Sequence, residues 1–342
     1  MSAQQSSDAQ LHENKRVFQK FQASVLNRFP VSDTVVSEHV TADFVDHSDR
    51  LNLARGVAGV QQRLALVNSA FAGYAEETTK ILAEGDLVAV MYTTKARHVG
   101  PILGIPATNR NVAVRGIRVV RVQDSKVAEL WAINDYLAVS AQLGAQIEFA
   151  RVAPGTETAE ELTAAADRRN RVRPPREVFD FANQMRRITG ATAEIRRNKE
   201  TLLKFQRDVF NAQDWRVETL ARYLKPNIID HNAFAGDPPG LEGVKHRFSA
   251  WQSAFDDAEE AYLGMVGDGD TLAVLYDLHA VHKGDFLGVR ATGNHVVIPG
   301  IEILRFEDGM MAEHWGIYDF LVTAREIGAR MVLKPASLVS VA

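Results

Sequence analysis

The sequence predicts an α+β protein built twice: a tandem duplication of a curved antiparallel sheet wrapped on helices. Three observations predict it. Residues recur at a constant offset of 184: Asp46-His47 as Asp230-His231, Gly59-Val60 as Gly243-Val244, Gly85-Asp86 as Gly269-Asp270, and Glu129, Trp131, Ile133 and Asp135 as Glu313, Trp315, Ile317 and Asp319. A gapless register over a domain's length, in only two copies, marks a domain pair and not a solenoid. Each copy opens with helical periodicity and closes with a run of strands, the order of a sheet covered by helices. The stretch 282–320 holds two β-rich segments around Glu307-Asp308-Gly309, a hairpin signal.

Each element follows in order. In the first copy an amphipathic helix is expected near 11–28, and a polar segment leads to Phe44-Val45-Asp46-His47. A second helix is expected from Gly59 to Phe71, then strands near 75–83, 87–98, 111–122 and 126–134, then a closing helix after Asp135. The second copy repeats this, with helices near 194–211 and 243–255 and a closing helix after Asp319. Asp135 and Asp319 each precede a helical run and read as N-caps. The expected domains are 1–148 and 194–342, joined by a linker with helical pieces at 149–193. That linker clusters arginines, including Arg168, Arg169, Arg171, Arg173 and Arg176, and a short helix is expected at 177–188. Without interleaved aromatics it reads as solvated linker and not as a nucleic-acid surface.

Composition narrows the partners. A net charge of −4 disfavours nucleic acid and anionic membranes. There is no cysteine, hence no disulfide and no thiolate metal site. No run of about 20 apolar residues would span a bilayer, and the first residues lack the apolar core of a signal peptide. A cytoplasmic location is the expectation.

The final hairpin decides which side chains meet. A three-residue loop with Gly309 in the left-handed region would set Phe306 opposite Met310 and Glu302 opposite His314. Gly300, Leu304, Ala312, Gly316 and Tyr318 would share that face. A two-residue loop would instead set Glu302 opposite Trp315. The first register is the one expected, because it gathers a carboxylate, an imidazole and a phenol. Trp131 and Trp315 then fall on the other face, where they are expected to pack one copy against the other as an intramolecular pseudo-dimer.

The string HKGDFLGVRATGNHV…GIEILRFEDGMMAEHWGIYDF, and its first-copy counterpart HVGPILGIPATNRNV…GIRVVRVQDSKVAELWAINDYL, resemble the SnoaL-like polyketide (ester) cyclases. Upstream, the Asp-His pair, a G-x-x-G-V helix ending in Phe, and E-G-D-L-V-A-V extend the resemblance over most of both copies. It implies the cone-shaped α+β barrel of nuclear-transport-factor-type domains, ketosteroid isomerase and limonene epoxide hydrolase, with a deep apolar pocket. It also implies dimerisation through the convex sheet face. In the aldol-type cyclases an aspartate two residues after the last-strand histidine is the acid/base. Here that position is Gly316, and Ala132 in the first copy. The histidine is kept as His314 but is Leu130 in the first copy. The pocket histidine of the preceding strand corresponds to Glu302 and Arg118, and the asparagine near the mouth to Asp230 and Asp46.

The resulting candidates are His314, Glu302 and Asp230 as the catalytic set. A carboxylate beside an imidazole orients it and raises its basicity, and a desolvated Glu302 could itself be a base with its pKa lifted toward neutrality. Tyr318, Phe248, Trp251, Phe286 and Leu304 are expected to line the second-copy pocket, with His282 at its entrance. Asp46, Arg118 and His98 are the first-copy counterparts. His47 and His231 read as a shared structural contact. No H-E-x-x-H spacing, phosphate-binding Gly loop or nucleophile motif appears, so neither a metal nor a cofactor is expected. The leading reading is cofactor-independent cyclase, isomerase or lyase chemistry on a small hydrophobic carbonyl compound in the second copy. The alternatives are a non-catalytic binder of small hydrophobic ligands and an epoxide-opening hydrolase built on an Asp-Arg-Asp set, which Arg118 and Asp46 partly echo.

Overall fold

The computed structural model describes residues 3–48, 53–102, 105–153, 155–170, 185–186, 188–190, 192–233 and 236–335. Two compact units divide the chain, one made of 1–147 together with 333–342 and one of 148–332. The first contains α1 (Ala3–Phe21), a π-helical turn (Gln22–Leu26), α2 (Asp33–His39), β1 (Val40–Asp46), α3 (Gly56–Ala70), β2 (Phe71–Glu84), β3 (Leu87–His98), β4 (Asn111–Gln123), β5 (Lys126–Asn134) and α4 (Tyr136–Gln142). β6 (Ala145–Arg151) and α5 (Ala159–Asn170) follow. The second copy contains α6 (Ala193–Phe205), a π-helical turn (Gln206–Phe210), α7 (Val217–Leu220), β7 (Leu224–Asp230), α8 (Gly240–Ala254), β8 (Phe255–Asp268), β9 (Thr271–His282), β10 (His295–Glu307), β11 (Met310–Tyr318) and α9 (Phe320–Glu326), before β12 (Ala329–Pro335). Most of the arginine cluster and of the helix expected at 177–188 lies outside the described residues. Among the described residues no helix is long and apolar enough to cross a membrane.

Each copy is a five-stranded sheet, ordered β1-β5-β4-β3-β2 and β7-β11-β10-β9-β8. The sheet is mixed, where a purely antiparallel one was expected. The polar segment before Asp46 forms α2, capped by Ser32 Oγ on the Val35 amide at 3.4 Å, and then β1. β1 returns beside the last strand and runs parallel to it, with Asp46 against Leu130; β7 does the same, with Asp230 against His314. The inner face of the first sheet packs Val88, Val90, Tyr92, Val120 and Leu130 against Phe18, Phe21 and Val25 of the leading helix and its π turn. These helical residues stand three to four apart, one face of a helix.

The hairpins follow neither expected register. Asp308 and Gly309 both have positive φ (53° and 76°), which makes a two-residue loop with Glu307 opposite Met310. A bulge follows at once: Phe306 pairs with Met311 and Arg305 with Glu313, so Ala312 is an extra residue on β11. Beyond it Leu304 lies opposite His314 and Glu302 opposite Gly316. The two-residue loop alone would send Glu302 and His314 to opposite faces. The bulge reverses that parity and returns them to one face as diagonal neighbours. β4 and β5 repeat the device, with Asp124 and Ser125 at φ 50° and 59° and Ala128 as the extra residue.

Asp135 and Asp319 are N-caps as expected, accepting the Ala138 and Val322 amides at 2.9 and 3.0 Å. His47 stacks on Trp131 (centroids 4.4 Å) and bonds Glu129 at 2.7 Å; His231 repeats this on Trp315 (4.5 Å) and Glu313 (3.1 Å). Within each copy the tryptophan is therefore covered by its own histidine.

Candidate active site

In the second copy four strands and one helix bring six polar side chains together. Tyr276 (β9) and Tyr318 (β11) both donate to Glu302 Oε1, at 2.8 and 3.2 Å. Glu302 Oε2 faces His314 Nε2 at 3.5 Å. His314 Nδ1 meets Asp230 Oδ1 at 3.1 Å, and Arg247 of α8 pairs with Asp230 Oδ2. The Asn232 amide also donates to Asp230 Oδ1 at 3.0 Å. Arg247, Asp230 and His314 side chains are only 8–9 % exposed, so the row is screened little by water.

Two glycines make room for it. A Cβ on Gly300 would stand 2.3 Å from the Tyr276 ring, so only glycine lets that ring lie across β10. A Cβ on Gly316 would stand 3.1 Å from His314 Nε2 and 3.3 Å from Glu302 Cγ. Position 316, where the resemblance would place an aspartate, is thus left bare beneath the contact between Glu302 and His314.

Burial alone would lower the His314 pKa, but Glu302 and Asp230 outweigh it and raise it to about 9. Burial would raise Asp230 and Glu302, yet the hydrogen bonds and charge of His314 hold both below the usual carboxylate range. The resting row is therefore Arg⁺–Asp⁻–HisH⁺–Glu⁻, with both imidazole nitrogens protonated. This corrects the expectation of a Glu302 lifted toward neutrality. The carboxyl that is lifted is Glu260 on β8, pushed well above its ordinary value by burial and by the charge of Glu302. Burial and the Glu302 charge also keep Tyr276 and Tyr318 protonated, hence donors.

The first copy wires the same positions differently. Arg118 stands where Glu302 does and clamps Glu76, the counterpart of Glu260, through two bonds of 2.8 and 2.9 Å. Arg118 also lies over the Tyr92 ring, 4.4 Å from its centroid. Asp46 pairs with Arg63 at 2.6 Å and accepts from Ser48. Arg118 and Asp46 thus have different partners, and the Asp-Arg-Asp echo of an epoxide-opening site is not assembled.

Several expected pocket residues lie elsewhere. His282 and His98 are fully buried, each with Nδ1 3.0 Å from a threonine hydroxyl, Thr292 or Thr108. They fasten the loops after β9 and β3 and do not flank an entrance, because a histidine at a strand end is drawn to the turn's hydroxyl. Leu304 is buried opposite His314 in the inner-face core. Phe286 packs against Trp251 and Phe255. Phe248, Trp251 and Tyr318 do line a cavity, with Phe210 and Trp215. Only about 20 Å³ of it admits a water-sized sphere, roughly one water. The first copy's cavity is about 250 Å³ by the same measure and is lined by Asp46, Arg63, Leu26, Leu64 and Leu130. The two cavities lie in different places: of their lining positions only Leu26/Phe210 and Leu64/Phe248 correspond at the offset of 184. At both positions the second copy has the larger side chain.

Sequence reasoning missed Arg247, Tyr276 and Glu260. Each has an identical residue 184 earlier (Arg63, Tyr92 and Glu76), so the repeat itself carried the signal. Among the described residues no group of three or more His, Asp or Glu is disposed to hold a metal ion.

A family model described as SnoaL-like polyketide cyclase matches residues 16–143 and again 200–327. The chain belongs to the SnoaL-like polyketide cyclase family, as two tandem copies. Among curated proteins it is similar to aklanonic acid methyl ester cyclase DauD of Streptomyces sp. (strain C5), 28 % identical over 116 residues, covering 32 % of this chain and 66 % of DauD. DnrD of Streptomyces peucetius, of the same description, is 27 % identical over 113 residues, covering 31 % of this chain and 72 % of DnrD. The match thus spans just under two thirds of DauD. Among solved structures TsrD from Streptomyces laurentii is 24 % identical, covering 39 % of this chain and 96 % of its own, with a TM-score of 0.35. IdmH from Streptomyces antibioticus is 28 % identical, covering 38 % and 98 %, with a TM-score of 0.34.

Proposed function

We propose that the second copy is a cofactor-independent cyclase acting by acid–base chemistry on a small, hydrophobic, polyketide-like carbonyl compound, which enters beside Tyr318 as the Phe248 and Trp251 side chains swing aside. The observation that carries this is the buried row Asp230–His314–Glu302, with two phenols on the same carboxylate. Glu302 accepts the proton from the carbon next to a carbonyl. Tyr318 donates a hydrogen bond to the resulting enolate oxygen. The enolate carbon attacks a second carbonyl carbon, the new C–C bond closes the ring, and His314 gives its Nε2 proton to the alkoxide. Proton transfer from Glu302 back to His314 restores the resting row, so substrate and product are isomers. Asp230, held by Arg247, orients the imidazolium and stays ionised. The missing aspartate at Gly316 is replaced, on this reading, by a carboxylate from the strand opposite.

The test uses the substrate in the names of DauD and DnrD. The full chain is incubated with aklanonic acid methyl ester, and a ring-closed isomer of unchanged mass is sought. Loss of at least ~100-fold in turnover is expected in both Glu302→Gln and His314→Gln, the usual size of an acid or base contribution. Turnover unchanged in either variant would defeat the assignment. A second reading, binding without conversion, is favoured by the larger hollow of the first copy, where no comparable pair stands. The epoxide-opening alternative loses its premise with the separate partners of Arg118 and Asp46.

A further inference from the structure

We propose that the first copy is a separate binding site, without turnover, for a small apolar acid: two fused rings or their equivalent carrying one carboxylate. This does not rest on the acid–base reading of the second copy. The cavity is about 250 Å³ with apolar walls from Leu26, Phe44, Leu64 and Leu130. An apolar cavity of about 150 Å³ accommodates benzene, so this one suits a bicyclic body. Among the described residues its polar end carries Arg55 and Arg63 against one carboxylate, Asp46. Asp46 engages Arg63 at Nε, and the Arg63 side chain remains 37 % exposed. The other guanidinium edge is the natural partner of a ligand carboxylate, since arginine binds carboxylates by paired N–H donors.

Conversion is not expected there. Leu130 stands where the second copy has His314, and Arg118 stands where it has Glu302 and is committed to Glu76. One copy has thus kept volume and a cation, and the other has kept an acid–base pair.

The experiment titrates the full chain with 2-naphthoate and with its neutral counterpart 2-naphthamide, by calorimetry. Both are expected to bind, the acid more tightly. Arg63→Gln should weaken the acid roughly tenfold or more and leave the amide unchanged, while Arg63→Lys restores part of the difference. The double variant Leu26→Phe with Leu64→Phe installs the second copy's own side chains and should abolish binding of both; it keeps the test decisive if Arg63→Gln does not fold. His314→Gln should leave both affinities as they are. Acid binding that survives the double phenylalanine variant, equal affinity for acid and amide in the wild type, or no binding of either, would overturn the proposal.

Discussion

His314 meets two carboxylates, Glu302 at 3.5 Å and Asp230 at 3.1 Å, and one of them is already paired with Arg247. Removing the imidazole leaves Glu302 buried with phenols but no cation. His314→Leu, the residue of the first copy, should therefore cost about 3–5 kcal/mol, the usual price of breaking a buried pair, measured by denaturant unfolding at neutral pH. The sign of its pH dependence follows from the raised pKa. The stabilisation is fully present below the ordinary value of 6.5 and is lost as pH rises through about 9. The stability gap between wild type and His314→Leu should hence shrink between pH 7 and 10. Asp230 and Glu302 have lowered values, so their contributions are present above about 4.5 and are lost as pH falls through those depressed values. If His314 is the acid, turnover should fall on the alkaline side near pH 9. An alkaline limb insensitive to a pair-preserving change at His314 would contradict that role.

At the scale of elements, a single inserted residue decides the chemistry. Strand side chains alternate, so the extra residue Ala312 determines whether His314 points at Glu302 or away from it. Deleting Ala312 should lower the melting temperature and abolish any conversion, because His314 would exchange faces with its neighbours. Deleting its counterpart Ala128 should destabilise the first copy and spare conversion in the second. Gly300→Ala should cost about 1–3 kcal/mol by overpacking and weaken the Tyr276 bond to Glu302, since the added methyl would meet that ring at 2.3 Å. The hairpin turn was recognisable from Asp308-Gly309, but its register was not. Whether a bulge follows a two-residue loop depends on what Met311 and Ala312 pack against, and turn composition carries none of that.

Across the whole chain, the two copies share one arrangement and differ in the sign of the buried charge at Arg118 and Glu302. The carboxyl at Glu76 and Glu260 is kept in both copies, while its neighbour is Arg118 in one and Glu302 in the other. In the first copy the arginine neutralises the carboxylate; in the second two carboxyls face each other, one is held protonated, and His314 compensates the other. Arg118→Met should therefore cost about 3–5 kcal/mol of first-copy stability, read as an early transition in denaturant, with second-copy conversion unaffected.

The duplication, its period, the leading, second and closing helices with the run of four strands between them, and the caps at Asp135 and Asp319 were determined by the sequence alone. Those features depend on spacing along one chain, where periodicity and turn chemistry act locally. Only the tertiary structure decided that Arg247 joins Asp230 and His314 in the row, that a bulge returns His314 to the face of Glu302, that the first strand lies parallel beside the last, and that His98 and His282 belong to loops. These depend on distances between elements far apart in sequence and on summed side-chain volumes, which exist only once the sheet has closed around its helices.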